Sequence, residues 1–305
     1  MHIPRAAFSA VAAVGLALAA LCTSGSTFAD AQTTHGAPHH GAYLAVNESA
    51  DRSITTSSQF VAAGLVNLTM TSQVNDPNNG FDMQVFSLHP GATLGQLRSH
   101  LLPALTAPGN KPDQAAAQGI TWVNEHITAY GGDQGGPSGT LRYQTVLTSG
   151  KYYVADLMQF VKTGSTASFW VFGHSRHASL PYVNQTLAMI SEHDNLRFAI
   201  FNASALHDGW LRIVNTTDEL HFAEFQQVKP GTTNQDITKF LNGKGPDPTI
   251  PTGGAEATDA ISPYHALNLW LNVPRGRYVV ICFIPDDMTG MAHAFMGMHL
   301  VTNIT

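Results

Sequence analysis

The residues best suited to chemistry lie near the end of the chain, between Cys282 and Leu300. This segment, CFIPDDMTGMAHAFMGMHL, contains one thiol, two imidazoles and four thioethers within nineteen residues. Such groups are the donors that bind soft and borderline transition-metal ions. Methionine also fills irregular space in protein cores. The segment therefore predicts either a metal site or a sulfur-rich β-hairpin that only closes a sheet.

The amino terminus indicates export. A basic residue precedes an apolar run from Ala6 to Leu21, and Ala29-Asp30-Ala31 has the pattern of a cleavage site. We interpret residues 1–31 as a signal peptide that is cleaved after Ala31. The mature chain should then be secreted or periplasmic, and no later stretch is long and apolar enough to span a bilayer. Cleavage removes Cys22 and leaves Cys282 without a partner for an internal disulfide.

The composition excludes some functions and favours a fold class. Charged residues make up 12% of the chain and the net charge is −6, so no basic surface for nucleic acid is expected. Turn-forming and β-forming residues are abundant and long helical periodicities are rare, which favours β-sheet. The sequence also lacks G-x-S-x-G, a Walker loop and H-E-x-x-H. We therefore predict no catalytic residues, although an enzyme that uses a cleft between two domains remains the less favoured alternative.

Two parts of the chain resemble each other. The segment FDMQVFSLHPGATLGQLRSHL (81–101) aligns without a gap with HFAEFQQVKPGTTNQDITKFL (221–241). Likewise, GTLRYQTVLTSGKYYVADL (139–157) aligns with HALNLWLNVPRGRYVVICF (265–283). Each copy reads as a strand, a Pro-Gly turn, a short helix and two strands joined by a turn. The chain therefore contains an internal repeat.

The repeat predicts the architecture. Thr93-x-x-Gln96 and Thr233-x-x-Asp236 have the pattern of helix N-terminal caps. The order of strands, helix and closing hairpin suggests a Greek-key sandwich. We predict an all-β protein of two tandem Greek-key β-sandwich domains, each with a short helix, at residues 32–180 and 181–305.

The second half resembles a cupredoxin, the small blue-copper fold, and in particular the cupredoxin-like domains of exported bacterial proteins. The segments that carry the resemblance are LRIVNTTDELHF, GRYVVICF and HAFMGMHLVTNI. The resemblance implies one type-1-like copper ion held by His221, Cys282, His293 and, weakly, Met298. It also implies electron transfer or copper carriage with a redox or copper-exchange protein as partner, which would dock over a ligand histidine.

In the first half, the positions that align with proposed ligands of the second half hold different residues. Phe81 and Asp156 stand where the second half has His221 and Cys282. The first half is therefore expected to share the fold without binding the metal. The chain also has no H-x-H pair, which argues against the trinuclear copper cluster of a multicopper oxidase.

The segment between Cys282 and His293 is longer than in ordinary blue-copper loops, with ten residues between the two ligands. We expect this insertion to bulge outward, with Asp286 and Asp287 in water. If the metal site exists, the cysteine sulfur and the two histidine nitrogens should lie within about 3–4 Å of one another, since bonds to such ligands are short.

Other interpretations remain open from the sequence. Without a metal, Cys282 is a buried core thiol and the protein is a β-sandwich binding module for a surface polymer or a protein partner. Met288, Met291 and His299 are alternative ligands close to the proposed set. The amino-terminal histidines His35, His39 and His40 form a cluster that we interpret as incidental.

Overall fold

The computed structural model describes residues 41–74, 81–135, 139–174, 178–192, 195–251 and 254–305. The predicted signal peptide and the histidines at positions 35, 39 and 40 lie outside these residues. Within the described parts of the chain, no helix combines the length and the apolar character that crossing a membrane requires.

The described chain is mainly β-strand, as predicted. The strands of the first half are β1 (Ala42–Glu48), β2 (Ile54–Thr56), β3 (Phe60–Ala62), β4 (Gly64–Ser72), β5 (Phe81–Leu88), β6 (Ile127–Gly135), β7 (Gly139–Leu147), β8 (Gly150–Asp156) and β9 (Ala167–Phe172). Those of the second half are β10 (Thr186–Glu192), β11 (Asn195–Phe201), β12 (Gly209–Asn215), β13 (Glu224–Gln227), β14 (Ala255–Ala257), β15 (Ala266–Leu271), β16 (Gly276–Ile281) and β17 (His299–Ile304).

The helices are α1 (Leu94–Thr106), α2 (Gln114–His126), α3 (Leu157–Thr163) and α4 (Asn234–Leu241), and a short 3-10 helix spans His293–Met296. The two predicted caps are confirmed: Thr93 and Thr233 each form a capping box with the residue three positions later. The sequence did not predict α2 or α3. Asp113 begins α2 by accepting hydrogen bonds from the amides of Ala115 and Ala116.

The described strands form three sheets that make up tandem β-sandwiches. The first sheet runs through both halves in the order β11-β10-β12-β15-β7-β4-β1-β2. A sheet of order β3-β9-β8-β5-β6 lies in the first half, and one of order β14-β13-β16-β17 lies in the second. Alternate residues of β4 are buried, as a strand with one core face requires. Apolar residues of all three sheets meet in one core.

Strands pair in the same register in the two halves. In the first half Gln84 on β5 lies opposite Ala155 on β8, and in the second half Glu224 on β13 lies opposite Ile281 on β16. These four positions are the ones that the sequence alignment makes equivalent. The next residue after Ala155 is Asp156, and the next after Ile281 is Cys282. The division at residues 180 and 181 stays a prediction.

A row of buried and half-buried polar side chains crosses the seam where β7 of the first half pairs with β15 of the second. Gln144 donates to Asn67 at 2.9 Å, and Asn268 donates to Gln144 at 3.1 Å. Arg212 completes the row by donating to Asn268 at 2.6 Å and to the carbonyl of Pro181 at 2.7 Å. Because each member has a partner, the row joins the halves without leaving buried amides unsatisfied.

Carboxyl groups lie in the interior of the first half, and one of them, Asp156, stands at the position where the second half has Cys282. Asp156 forms an ion pair with Arg52 and caps α3. Burial, together with a hydrogen bond to Asp156, raises the pKa of Glu48 to about 8. Asp82 and Asp259 share a hydrogen bond between the halves; burial and the Asp259 charge raise the pKa of Asp82 well above its usual range.

Candidate metal centre

The four predicted ligands are positioned by strand ends. His221 precedes β13 and forms a bridge with Ile261, and Cys282 directly follows β16. His293 begins the 3-10 helix and Met298 directly precedes β17. Each of the four residues is 0% exposed. The strands therefore bring residues that are far apart in sequence into one water-excluded region.

Three of these residues converge on one point. The Nδ1 atoms of His221 and His293 are 3.1 Å apart. The Sγ of Cys282 lies 3.8 Å from Nδ1 of His221 and 3.6 Å from Nδ1 of His293. All three distances fall in the range of about 3–4 Å expected for ligands of one ion with short bonds. The alternative in which the two imidazoles point apart is not what the structure shows.

Backbone hydrogen bonds connect the three carboxy-terminal residues of the predicted ligand set. The amide of Ala294 donates to the carbonyl of Cys282 at 2.7 Å, and the amide of Met298 donates to the carbonyl of His293 at 2.9 Å. The amide of Cys282 donates to the carbonyl of Met298 at 3.4 Å. Met298 also belongs to the same buried cluster as Cys282. These bonds fix the backbones of Cys282, His293 and Met298 relative to one another.

The two imidazoles differ in their surroundings. Burial and the neighbouring His293 lower the pKa of His221 well below its usual range. Its Nε2 is buried without a hydrogen-bond partner. Burial also acts to lower the pKa of His293, but hydrogen bonds to Cys282 and Glu219 outweigh it and raise this pKa to about 9. A metal ion at Nδ1 would displace the proton on the side that faces Cys282, while a proton on Nε2 could remain in contact with Glu219.

Sequence reasoning missed Glu219, which contacts the far side of the His293 ring. Its Oε2 lies 3.1 Å from Nε2 of His293 and accepts a hydrogen bond from the amide of Asp287 at 3.1 Å. One signal was present in the sequence. Glu219 stands two positions before His221, close to it in sequence, although residues 217–219 form a bend and not a strand.

The predicted outward bulge between Cys282 and His293 is wrong. Asp286 is only 5% exposed, and it accepts hydrogen bonds from the amide and hydroxyl of Thr289, both at 2.6 Å. Asp287 is half-buried. The segment folds inward because it satisfies its polar backbone against the first half. The amide of Asp113 donates to the carbonyl of Thr289, and the amide of Ala292 donates to the carbonyl of Gly109, each at 2.8 Å.

Helix α2 supplies a second residue that the sequence did not suggest. Asn124 accepts a hydrogen bond from the amide of Leu220 at 3.2 Å and donates to the carboxylate of Asp287 at 3.3 Å. Thr121 on the same helix donates to the carbonyl of Asp287 at 3.0 Å. The first half thus holds both the segment that carries His221 and the segment that precedes His293.

Two further expectations need correction or restriction. A partner was expected to dock over a ligand histidine, but both imidazoles are fully buried, so no partner can touch either ring in this structure. Among the alternative ligands, Met288 is 83% exposed. The Nε2 of His299 is 3.1 Å from the hydroxyl of Thr238 on α4. Neither residue belongs to the converging set.

Several solved structures are similar to the chain. Dithionite-reduced auracyanin from Roseiflexus castenholzii is 19% identical, covering 39% of this chain and 94% of its own, with a TM-score of 0.25. The copper protein rusticyanin is 16% identical, covering 40% and 76%, with a TM-score of 0.24. Copper nitrite reductase from Nitrosomonas europaea is 16% identical, covering 86% and 93%, with a TM-score of 0.19. No protein-family model and no curated protein matches the sequence.

Proposed function

We propose that this protein binds one copper ion through His221, Cys282 and His293, with Met298 as a weak fourth ligand, and that it transfers electrons or carries copper. The observation that supports this function is the convergence of one sulfur and two imidazole nitrogens within 3.1–3.8 Å. All three side chains are fully buried. None of these three side chains is a carboxylate.

The donor set fits copper in both of its common oxidation states. Thiolate and thioether groups suit Cu(I), imidazole also suits Cu(II), and two histidines with one cysteine and a distant methionine are typical of electron-transfer copper sites. The bound ion would supply a single electron by alternating between Cu(I) and Cu(II). The chain's own residues exclude water from the ion and orient both Nδ1 atoms toward it. The backbone bonds among Cys282, His293 and Met298 limit how far the ligands can move.

The remaining assignments complete the proposal. Residues 1–31 act as a signal peptide, so the mature protein works outside the cytoplasm. Residues 32–180 form a cupredoxin-like domain without the ligands, and residues 181–305 form the one that binds copper. The partner is a redox or copper-exchange protein. Because both histidines are buried, that partner must contact the surface around the site and not an imidazole.

A visible spectrum of the mature protein with Cu(II) tests this function. We expect one copper per chain and an intense thiolate-to-copper charge-transfer band. Cys282→Ser should abolish the band, since serine has a similar size but no soft sulfur. Met288→Leu changes an exposed methionine and should leave the band unchanged. Stoichiometric copper binding with unchanged affinity in Cys282→Ser, or no binding by the parent chain, would refute the assignment.

A further inference from the structure

The imidazole of His293 has polar contacts on both of its nitrogens. Nδ1 faces Cys282 and His221, at 3.6 and 3.1 Å. Nε2 lies 3.1 Å from the carboxylate of Glu219. His221 differs, because its Nε2 is buried without a partner. The two proposed histidine ligands are therefore unequal, and the difference lies in Glu219.

The position of Glu219 is fixed from several sides. Its side chain is 12% exposed. Its carbonyl accepts hydrogen bonds from the side chains of Asn215, at 2.7 Å, and Thr217, at 3.2 Å. Its carboxylate accepts a hydrogen bond from the amide of Asp287 at 3.1 Å. The next residue, Leu220, donates its amide to Asn124 of the first half. A carboxylate held in this way cannot rotate freely into water.

We propose that Glu219 is a positioning residue that holds His293 through Nε2 and biases the copper centre toward Cu(II). This inference rests on the proposed copper site. Histidine ligands commonly donate their second N–H to a carboxylate, which fixes the ring and strengthens the metal-bound nitrogen as a donor. A negative charge close to a buried ion also favours the more highly charged state of that ion, because the surroundings screen it weakly.

The bias has a direction that matters for function. A centre that favours Cu(II) gives up its electron more readily than the same three ligands without Glu219. The exposed neighbour Asp218 carries the same charge but faces solvent, where screening is strong. Comparing substitutions at these two adjacent carboxylates therefore distinguishes a specific contact with His293 from a general effect of negative charge.

The test compares Glu219→Gln with the matched control Asp218→Asn. Both remove one negative charge, and glutamine keeps an oxygen that can accept from Nε2. In copper-loaded protein, at a fixed redox poise, we expect the Cu(I)/Cu(II) ratio to rise at least about tenfold in Glu219→Gln and less than about twofold in Asp218→Asn. The intensity of the thiolate-to-copper charge-transfer band measures this ratio in the parent chain and in both variants.

A second readout needs no metal. Nitrogen-15 NMR of the metal-free chain should show the Nε2 signal of His293 move in Glu219→Gln and stay in place in Asp218→Asn. If Glu219→Gln does not fold, Glu219→Asp is the second variant: it keeps the charge but shortens the side chain by one methylene. Its Cu(I)/Cu(II) ratio should lie between that of the parent and about ten times that value.

Three results would overturn the inference. One is an equal change in the Cu(I)/Cu(II) ratio for the two substitutions at positions 218 and 219. Another is an Nε2 signal that Glu219→Gln leaves unchanged. The third is two copper ions per parent chain that fall to one in Glu219→Gln, because Glu219 would then be a ligand of a second ion. A parent chain without copper refutes the proposed function instead, while the metal-free NMR still decides whether Glu219 holds His293.

Discussion

Gly290 stands so close to the backbone carbonyl of Asp113 that a Cβ on Gly290 would lie 1.9 Å from that oxygen. The glycine is also in the left-handed region, with φ of +70°. Asp113 is the N-cap of α2, so this contact joins the segment before His293 to the start of a helix in the first half. No side chain can be accommodated there without moving one of the two backbones.

Gly290→Ala should therefore separate the segment from α2. We expect the free energy of unfolding to fall by about 3 kcal/mol or more, as the sum of the clash and the left-handed strain. Urea unfolding of the metal-free protein measures this loss. Gly231→Ala is the control, because Gly231 has φ of +82° but no described atom lies within 4 Å of the position that an added Cβ would take. Equal losses for the two variants would show that the contact with Asp113 contributes nothing.

Asn124→Ala should weaken the contact between the halves. It leaves the amide of Leu220 without its acceptor and the carboxylate of Asp287 without its donor. A loss of about 1–3 kcal/mol in the free energy of unfolding is expected for partly buried polar groups left without partners. Copper release to a chelator should also become faster. Gln118→Ala changes an exposed residue on the same helix and should stay within about 0.5 kcal/mol of the parent.

Stability should fall as the pH rises from about 4 to about 8. Burial raises the pKa of Glu48 from 4.5 to about 8 and that of Asp259 from 3.8 to about 6. Between the unfolded and folded values, the folded state binds more protons than the unfolded state, so raising the pH favours unfolding. Each group contributes at most about 1.4 kcal/mol per pH unit within its window.

Urea unfolding of the metal-free protein at pH 5, 6.5 and 8 measures this dependence. The variant Glu48→Gln removes one group whose window extends to about pH 8 and should make the decline above pH 6 shallower, where Asp259 no longer contributes. A free energy of unfolding that rises steadily from pH 5 to pH 8 would contradict the prediction.

Met298→Leu should keep copper bound but change its reduction potential. Leucine has a similar volume, so the structural cost should be below about 1.5 kcal/mol. Removing a weak thioether ligand leaves three strong donors, which favours Cu(I), so the potential should rise. A redox titration that follows the charge-transfer band measures the change. Met288→Leu at an exposed position is the control. An unchanged potential in Met298→Leu would remove Met298 from the ligand set.

Local signals in the sequence were sufficient for the strands and the caps, whereas the expected convergence of Cys282 with the two histidines came from the resemblance to cupredoxins. Thr93 and Thr233 predicted helix starts because a capping box involves residues only three positions apart. The positions of Cys282 and His221 followed from strand ends in the repeated frame. Asp286 was placed in water because its segment contains Pro, Asp and Gly, which usually mark exposed turns. The same composition also suits a turn that packs against another part of the chain.

The contacts of Asn124 and Glu219 could not be predicted in the same way. Asn124 is about a hundred residues from Leu220 in sequence, and no local pattern links them. Asp113 followed by an alanine-rich run was a visible signal for α2. Even with that helix predicted, its docking against residues 285–292 depends on how the two halves pack. Tertiary contacts of this kind determine whether a polar loop is exposed or buried.

The pairing of β7 with β15 has a consequence for how the chain reaches its native state. Until the second half has folded, β7 is an open edge next to β4, with unpaired amides and carbonyls that could bind a strand of another molecule. A foreign strand on β7 would take away the hydrogen bond that Gln144 accepts from Asn268 in the native seam. Pairing with β15 at Tyr143 and Gln144 therefore takes up this edge only once both halves have folded.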